Sequence, residues 1–319
     1  MRSEQTPQYS KEYPPSEKLF VMKFGGTSVG NAHAIEQTAS IIQKSLKDTP
    51  CCLVVVVSAI RGVTDSLVTI GRNIEKNARE ENDLIIEDLE YRHWNVVNNL
   101  ELPSSIHVEL FDGIEKLFVH LRKTISTTTP FNLESLDPLL SFGERFNARI
   151  VAAKLKAIGI QAEALDASSF IETDDHFGNA YPNFANTEIY AKRAIYPRLH
   201  SGIVPVVTGF IGATRDNRMT TLGRGGSDYT ASILGRVLHA QEVWIWTDVD
   251  GLYSADPRTN PDATFLPVVS QEYAQELAQQ GAKVLYRKTI EPLLGQDVIL
   301  RIKNTFHPEF PGTTIIPSR

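Results

Sequence analysis

The stretch that decides the fold is Leu19-Phe20-Val21-Met22-Lys23-Phe24-Gly25-Gly26-Thr27-Ser28-Val29-Gly30. Its first six residues are apolar except Lys23, which predicts a short strand. Two glycines follow at once, where the backbone turns and can approach a ligand closely. Beyond them Ile35, Ala39, Ile42 and Leu46 recur at helical spacing, and Pro50 stops that region. Leu53 to Val57 is an almost purely β-branched run, as a central parallel strand requires. Strand, glycine turn, helix and strand make a βαβ unit, so the spacing predicts an α/β fold with a mainly parallel sheet covered on both faces.

The rest of the chain continues the alternation. Residues 63–123 read as mostly helical, with Val108, Phe111, Ile114, Leu117 and Leu121 as a core-facing stripe. A helix after Gly143 turns Phe146, Ile150, Ala153 and Ala157 inward, and Ile160 to Leu165 returns as a strand. Residues 172–187, with Asp174, Asp175, Gly178 and Pro182, read as a surface excursion. Ile203 to Phe210, Val243 to Trp246 and Val298 to Ile302 read as further strands. Gln271 to Gln279 reads as a helix. We expect a flexible arm over residues 1–18 and two lobes, 19–200 and 201–319. In the segment Leu84 to Leu100, the residues Leu84, Leu89, Trp94 and Val97 would pack in the core or against a second chain.

Composition narrows the class. The chain has 319 residues, 42% hydrophobic and 22% charged, a globular mix. Its longest strongly apolar stretch, Cys51 to Val57, is far shorter than the roughly 20 residues of a membrane span. Residues 1–15 lack the apolar segment of a secretory signal. The formal charge of −6 argues against a nucleic-acid binder, which needs a basic face, but leaves room for a local phosphate pocket. Cys51 and Cys52 are adjacent in a strand and point to opposite faces, as ordinary buried thiols. With no disulfide framework and no export signal, a cytoplasmic location is expected.

Ligands in open α/β sheets bind beyond the carboxyl ends of the strands. Three polar, glycine-bearing segments each follow a strand: Lys23 to Gly30, Thr208 to Asp228 and Thr247 to Arg258. In the first, Gly25 and Gly26 make either a plain turn or an anion nest beside the Lys23 charge. It is not a Walker A loop, because its lysine precedes the glycines. In the second, Ser227 and Asp228 suit helix capping. Arg224, set among glycines, suits a two-bond grip on a carboxylate or phosphate. The third is either a nucleotide-facing loop, its carboxylates acting through Mg²⁺, or a Pro- and Asp-rich surface turn. Glu144 lies in the first turn of a helix, where the macrodipole favours a carboxylate. The eight histidines show no ligand spacing, and no HExxH, Cys-x-x-Cys or GxSxG pattern occurs. No residue is assigned as a metal ligand.

Together these segments resemble the aspartate kinases of the amino acid kinase family. Lys23-Phe24-Gly25-Gly26-Thr27-Ser28-Val29, Val57-Ser58-Ala59, Ser141-Phe142-Gly143-Glu144 and Gly209-Phe210-Ile211-Gly212 are similar to family motifs. So are Thr221-Leu222-Gly223-Arg224-Gly225-Gly226-Ser227-Asp228-Tyr229-Thr230, Trp246-Thr247-Asp248-Val249, Asp256-Pro257-Arg258 and Gly281-Ala282-Lys283-Val284-Leu285. The resemblance covers about residues 19–316. It implies a three-layer αβα sandwich of the carbamate kinase-like type, with an amino-terminal lobe for aspartate and a carboxy-terminal lobe for ATP. It implies transfer of phosphate from ATP, with Mg²⁺, to the β-carboxylate of L-aspartate, the step that opens the route to lysine, threonine and methionine. By that pattern Lys23 contacts the transferring phosphoryl group, with Gly25 and Gly26 donating amides. Arg224 clamps the substrate α-carboxylate, and Glu144 meets the substrate amine or holds Lys23. Thr27, Ser58, Phe210, Ser227 and Asp228 complete the substrate shell. Thr247, Asp248, Tyr253, Arg258 and Lys283 are similar to the nucleotide-side residues, which Lys23 also borders.

Four departures stand out. Tyr286-Arg287 replaces the family's usual His-Pro pair, Asn183 replaces an acidic residue, and Arg61 stands where a small or polar residue is common. The paired ACT regulatory modules of most aspartate kinases have no counterpart in this chain, which is either a kinase without feedback regulation or the kinase part of a larger product; direct inhibition by lysine or threonine is not expected of this chain. A homodimer would need a kinase-domain surface. Two other readings stay open at this point. One is a kinase of the same fold acting on glutamate, acetylglutamate, carbamate or UMP, and the other is a non-catalytic partner subunit.

Overall fold

The computed structural model describes residues 18–317, apart from residues 77, 129–131, 256, 258, 261 and 281–284. The chain begins β1 (Lys18–Phe24), α1 (Ala32–Asp48), β2 (Cys51–Val57), α2 (Val63–Glu75), α3 (Arg79–Asn99), α4 (Ser104–Thr127), α5 (Leu133–Leu140) and α6 (Phe142–Ala157). It continues with β3 (Ala162–Leu165), β4 (Glu172–Thr173), α7 (Phe184–His200), β5 (Val204–Thr208), β6 (Ile211–Thr214), β7 (Met219–Thr221), α8 (Gly226–Val237) and β8 (Glu242–Thr247). The last elements are β9 (Val268–Ser270), α9 (Gln271–Gln279), α10 (Arg287–Ile290), β10 (Ile299–Asn304) and β11 (Thr313–Ile316).

The main sheet has the order β3-β5-β2-β1-β8-β10-β11-β9. From β3 to β10 neighbouring strands are parallel; β11 runs antiparallel to β10, and β9 pairs parallel with β11. Strand β5 follows residue 200 yet lies between β3 and β2, so one sheet is continuous across both expected lobes. The order of β1 and β8 sets the site. Side chains alternate along β1. Phe20, Met22 and Phe24 join the apolar layer of α1–α6, whereas Leu19 and Val21 join the layer that includes α7 to α10. The same alternation turns Lys23 towards the second layer, where α8 packs on β1. Burying a side chain such as Phe24 stabilises the layer by about 1.5–3 kcal/mol. The α/β three-layer arrangement with a mainly parallel sheet is the one expected.

Several local expectations change. On α4 the buried stripe is Leu110, Ile114, Leu117, Phe118 and Leu121, while Val108 and Phe111 are exposed. Both stripes share the helical period, and the neighbours of α4 choose between them; Phe111 stacks on Trp94 at the rim, ring centroids 4.5 Å apart. On α3 Leu89 and Val97 are buried and Leu84 is exposed. Residues 172–187 are more than a surface excursion. Glu172 and Thr173 form β4, which joins β6 and β7 in a separate three-stranded sheet, and Ala180 and Thr187 are buried. Asp137 of α5 binds this sheet by accepting from the amides of Gly178 and Thr221, both at 2.8 Å, and from the Thr221 hydroxyl at 2.7 Å. Cys52 belongs to the layer of α7 to α10, and Cys51 borders the opposite one.

His93 is structural. It packs on Phe118 and Phe146, its Nδ1 lies 2.6 Å from the Leu89 carbonyl, and burial pushes its pKa down to about 4. No helix among the described residues is long and apolar enough to cross a membrane.

Candidate active site

The carboxyl ends of β1, β2, β5 and β8 lie side by side, so the loops after them share one sheet edge. Lys23, one residue before the end of β1, is nearly buried. Its Nζ lies 2.5 Å from Oδ1 of Asp228, in the first turn of α8. The contact is an ion pair outside hydrogen-bond angles, since the same Oδ1 has no hydrogen-bond partner. Nζ also sits over the glycine turn, 3.4 Å from where a Gly25 Cβ would lie.

The turn itself corrects one expectation. The Gly25 amide donates to the Trp246 carbonyl at 3.0 Å, because β8 runs beside β1 and continues its ladder there. Gly25 therefore has no amide left for a ligand. The amides of Gly26, Thr27 and Ser28 have no acceptor among the described residues and remain open, as an anion nest requires. Only glycine fits at Gly26, where a Cβ would come within 2.8 Å of the Ala59 carbonyl oxygen.

The loop after β2 meets the start of α6. The Ala59 amide donates to Oε1 of Glu144 at 3.2 Å, and Asn147, one turn later, donates to the Ser58 carbonyl at 2.6 Å. Glu144 is buried and its Oε2 has no partner. Burial pushes its pKa up to about 8, against the Ala59 amide and the nearby Lys23 charge, which pull it down. Asp228 is in ion-pair contact with Lys23, and Glu144 feels the Lys23 charge without such a contact.

The turn after β5 carries Phe210 at φ 70°, a left-handed conformation that costs a non-glycine residue about 1–3 kcal/mol. Its amide donates to the Thr230 hydroxyl at 2.9 Å and its carbonyl accepts from Leu222 at 2.8 Å, which hold it there. Phe210 thereby lies against the first turn of α8, where a Cβ on Gly226 would come 2.6 Å from its ring. Ser227 packs just as closely on Gly209. Arg224 projects from the turn between β7 and α8, is exposed, and stacks on Tyr286.

On the β8 side, Thr247 and Asp248 lie together, their hydroxyl and carboxylate 3.4 Å apart. Tyr253 packs edge-on to Phe265 at 5.5 Å. Arg258, Lys283 and residues 1–17 of the arm expected over 1–18 lie outside the described residues, and Lys18 is the first residue of β1 rather than part of an arm. The structure thus gathers Lys23, Gly26, Thr27, Ser58, Glu144, Phe210, Ser227 and Asp228 around one edge, with Thr247 and Asp248 on the loop of the neighbouring strand. Sequence reasoning missed Asn147, whose only signal was its place one helical turn after Glu144, and Asp137, which looks like any helix residue before a proline.

Among the described residues no group of three His, Cys, Asp or Glu side chains is gathered as a metal cage would be. Asp228, in the first turn of α8, and Asp248, just after β8, are carboxylates at this edge, and magnesium takes oxygen ligands of that kind.

The model of the amino acid kinase family matches residues 18–304. Aspartokinase 1, chloroplastic, of Arabidopsis thaliana is 36% identical over 307 residues, covering 94% of this chain and 52% of that protein. Lysine-sensitive aspartokinase 3 of Escherichia coli is 35% identical over 298 residues, covering 93% of this chain and 64% of that one. The crystal structure of E. coli aspartokinase III in complex with aspartate and ADP superposes with a TM-score of 0.85 at 33% identity, over 95% of this chain and 65% of that one. The chain spans about half to two thirds of the length of these relatives. The family match runs unbroken from β1 through both glycine turns to β10, and so takes in every strand that builds the site: the chain belongs to the amino acid kinase family.

Proposed function

We propose that this chain transfers the γ-phosphoryl group of ATP to the β-carboxylate of L-aspartate, giving ADP and 4-phospho-L-aspartate, towards lysine, threonine and methionine. The observation that carries the reading is Lys23, held by Asp228 over a turn whose next three amides are open. That arrangement meets negative charge as it develops. A carboxylate acceptor fits it, because a carboxylate is already ionised at pH 7 and needs no general base. Catalysis then reduces to in-line placement and charge neutralisation on the phosphoryl group.

In this reading Lys23 and the amides of Gly26, Thr27 and Ser28 neutralise the phosphoryl oxygens. Asp228 keeps the ammonium in place. Arg224 grips the substrate α-carboxylate. Glu144, buried with one oxygen unpartnered, receives the substrate ammonium, which supplies the charge its carboxylate lacks. Ser58 and Phe210 border the substrate, with Asn147 fixing the Ser58 loop. Thr247, Asp248, Tyr253, Arg258 and Lys283 serve the nucleotide. Mg²⁺ bound with ATP would neutralise the β and γ phosphates, with Asp228 or Asp248 reaching its water shell. Residues 19–200 then hold mainly the amino acid and 201–319 mainly the nucleotide, with the Arg224 turn crossing between them. Similarity to a kinase solved with aspartate and ADP supports this choice over other acceptors.

The test is ADP release with ATP and Mg²⁺ in the presence of L-aspartate, L-glutamate, N-acetyl-L-glutamate or carbamate in turn. We expect L-aspartate to be preferred by at least ten-fold. Equal or better turnover of another acceptor would reassign the substrate.

A further inference from the structure

Tyr286 immediately precedes α10, in the segment that leads out from Lys283, and it lies against the glycine turn that carries Arg224. Its ring is packed so closely on Gly225 that a Cβ there would come within 2.6 Å of it; Gly225 also has φ +73°. The Arg224 guanidinium lies over the same ring, 5.2 Å from its centroid. Arg224 Nε donates to the Tyr286 hydroxyl at 3.3 Å. Its two terminal nitrogens have no partner among the described residues. Two positions on, Lys288 takes the other side of the turn, donating to the Leu222 carbonyl at 3.0 Å and to Asn179 Oδ1 at 2.7 Å. Lys288 also sits over the rings of Tyr181 and Tyr229.

A free arginine on an exposed turn samples many rotamers, and ordering it on binding costs affinity. Here the face and Nε of the guanidinium are held, while Nη1 and Nη2, the pair that meets a carboxylate end-on, are left open. We propose that Tyr286 is a positioning residue that pre-orders Arg224 for the α-carboxylate of the amino-acid substrate, and so sets affinity for that substrate. The inference rests on the role given to Arg224 above.

The experiment is a double-mutant cycle on the full chain: wild type, Tyr286→Phe, Arg224→Gln and the double variant. KM for the amino acid, KM for ATP, kcat and thermal unfolding are measured for each. Tyr286→Phe keeps the ring on Gly225 and removes the hydroxyl. It should raise KM for the amino acid three- to ten-fold, and leave kcat, KM for ATP and the unfolding midpoint within experimental error. In the Arg224→Gln background the same change should have no further effect. Additive effects in the cycle, or an equal rise in KM for ATP, would overturn the inference and leave Tyr286 as a packing residue. The cycle is read with whichever acceptor the wild type phosphorylates, so failure of the aspartate reading shows in the wild type alone.

Discussion

Glu144 is the residue whose behaviour can be worked out furthest. It is buried, accepts one bond from the Ala59 amide, and leaves Oε2 without a partner. Desolvation dominates, lifting its pKa from 4.5 to about 8 despite Lys23. At about 1.4 kcal/mol per unit, holding the charged form in the ligand-free site costs roughly 5 kcal/mol. At pH 7 the carboxyl is therefore mostly protonated. An ammonium delivered beside it reverses the preference, so binding of aspartate should release most of a proton at pH 7, and progressively less as the pH passes 8. Titration calorimetry in two buffers of different ionisation enthalpy measures that release.

Glu144→Gln cannot release this proton. It should also bind aspartate roughly 10–150-fold more weakly, from the loss of a charge-assisted bond worth about 1.5–3 kcal/mol. Stability gives a second readout. The folded pKa lies above the unfolded one, so the contribution of Glu144 is full below pH 4.5 and falls as the pH rises to about 8. The glutamine variant should lack that slope, and its advantage should widen across this window by up to roughly 5 kcal/mol. Wild-type binding with no proton release, or equal release from the variant, would refute the reasoning.

Three further changes separate neighbouring roles. Gly26→Ala sets a Cβ 2.8 Å from the Ala59 carbonyl, a backbone atom that cannot step aside cheaply. We expect at least a ten-fold loss of turnover and about 1–3 kcal/mol of stability. Gly25→Ala meets only ordinary contacts, at 3.4 and 3.5 Å, and should lose far less of both; equal losses in steady-state assays and urea melts would contradict the geometry. Asp137→Ala strands three donors that tie α5 to the small sheet, and should cost about 2–4 kcal/mol by urea unfolding. A change below about 1 kcal/mol would mean that Asp137 does not anchor that sheet.

The elements legible in the sequence are those whose apolar pattern is dictated by burial. Leu53 to Val57 and Val243 to Trp246 read as strands because both of their faces are covered. Helix α9 read with the right ends, Gln271 and Gln279. Strands β4, β6, β7, β9 and β11 did not read. They are two to four residues long, and Glu172-Thr173 or Ile211-Gly212-Ala213-Thr214 carries too little alternation to announce a strand. Their existence depends on partners far along the chain, such as Asp137. The site was legible where a glycine must be a glycine, as at Gly26 and Gly225. It was not legible where a role depends on a neighbouring strand: the Gly25 amide faces Trp246 only because β8 lies beside β1.

The central claim is that Lys23 at this sheet edge serves phosphoryl transfer to a carboxylate. The direct measurement is to incubate the chain with ATP, Mg²⁺ and L-aspartate and trap the acyl phosphate with hydroxylamine, beside a Lys23→Ala control checked for folding. The account predicts aspartate-dependent hydroxamate from the wild type and at least a hundred-fold less from the control. A folded, ATP-binding wild type that forms no hydroxamate, or a control that forms as much, would contradict it.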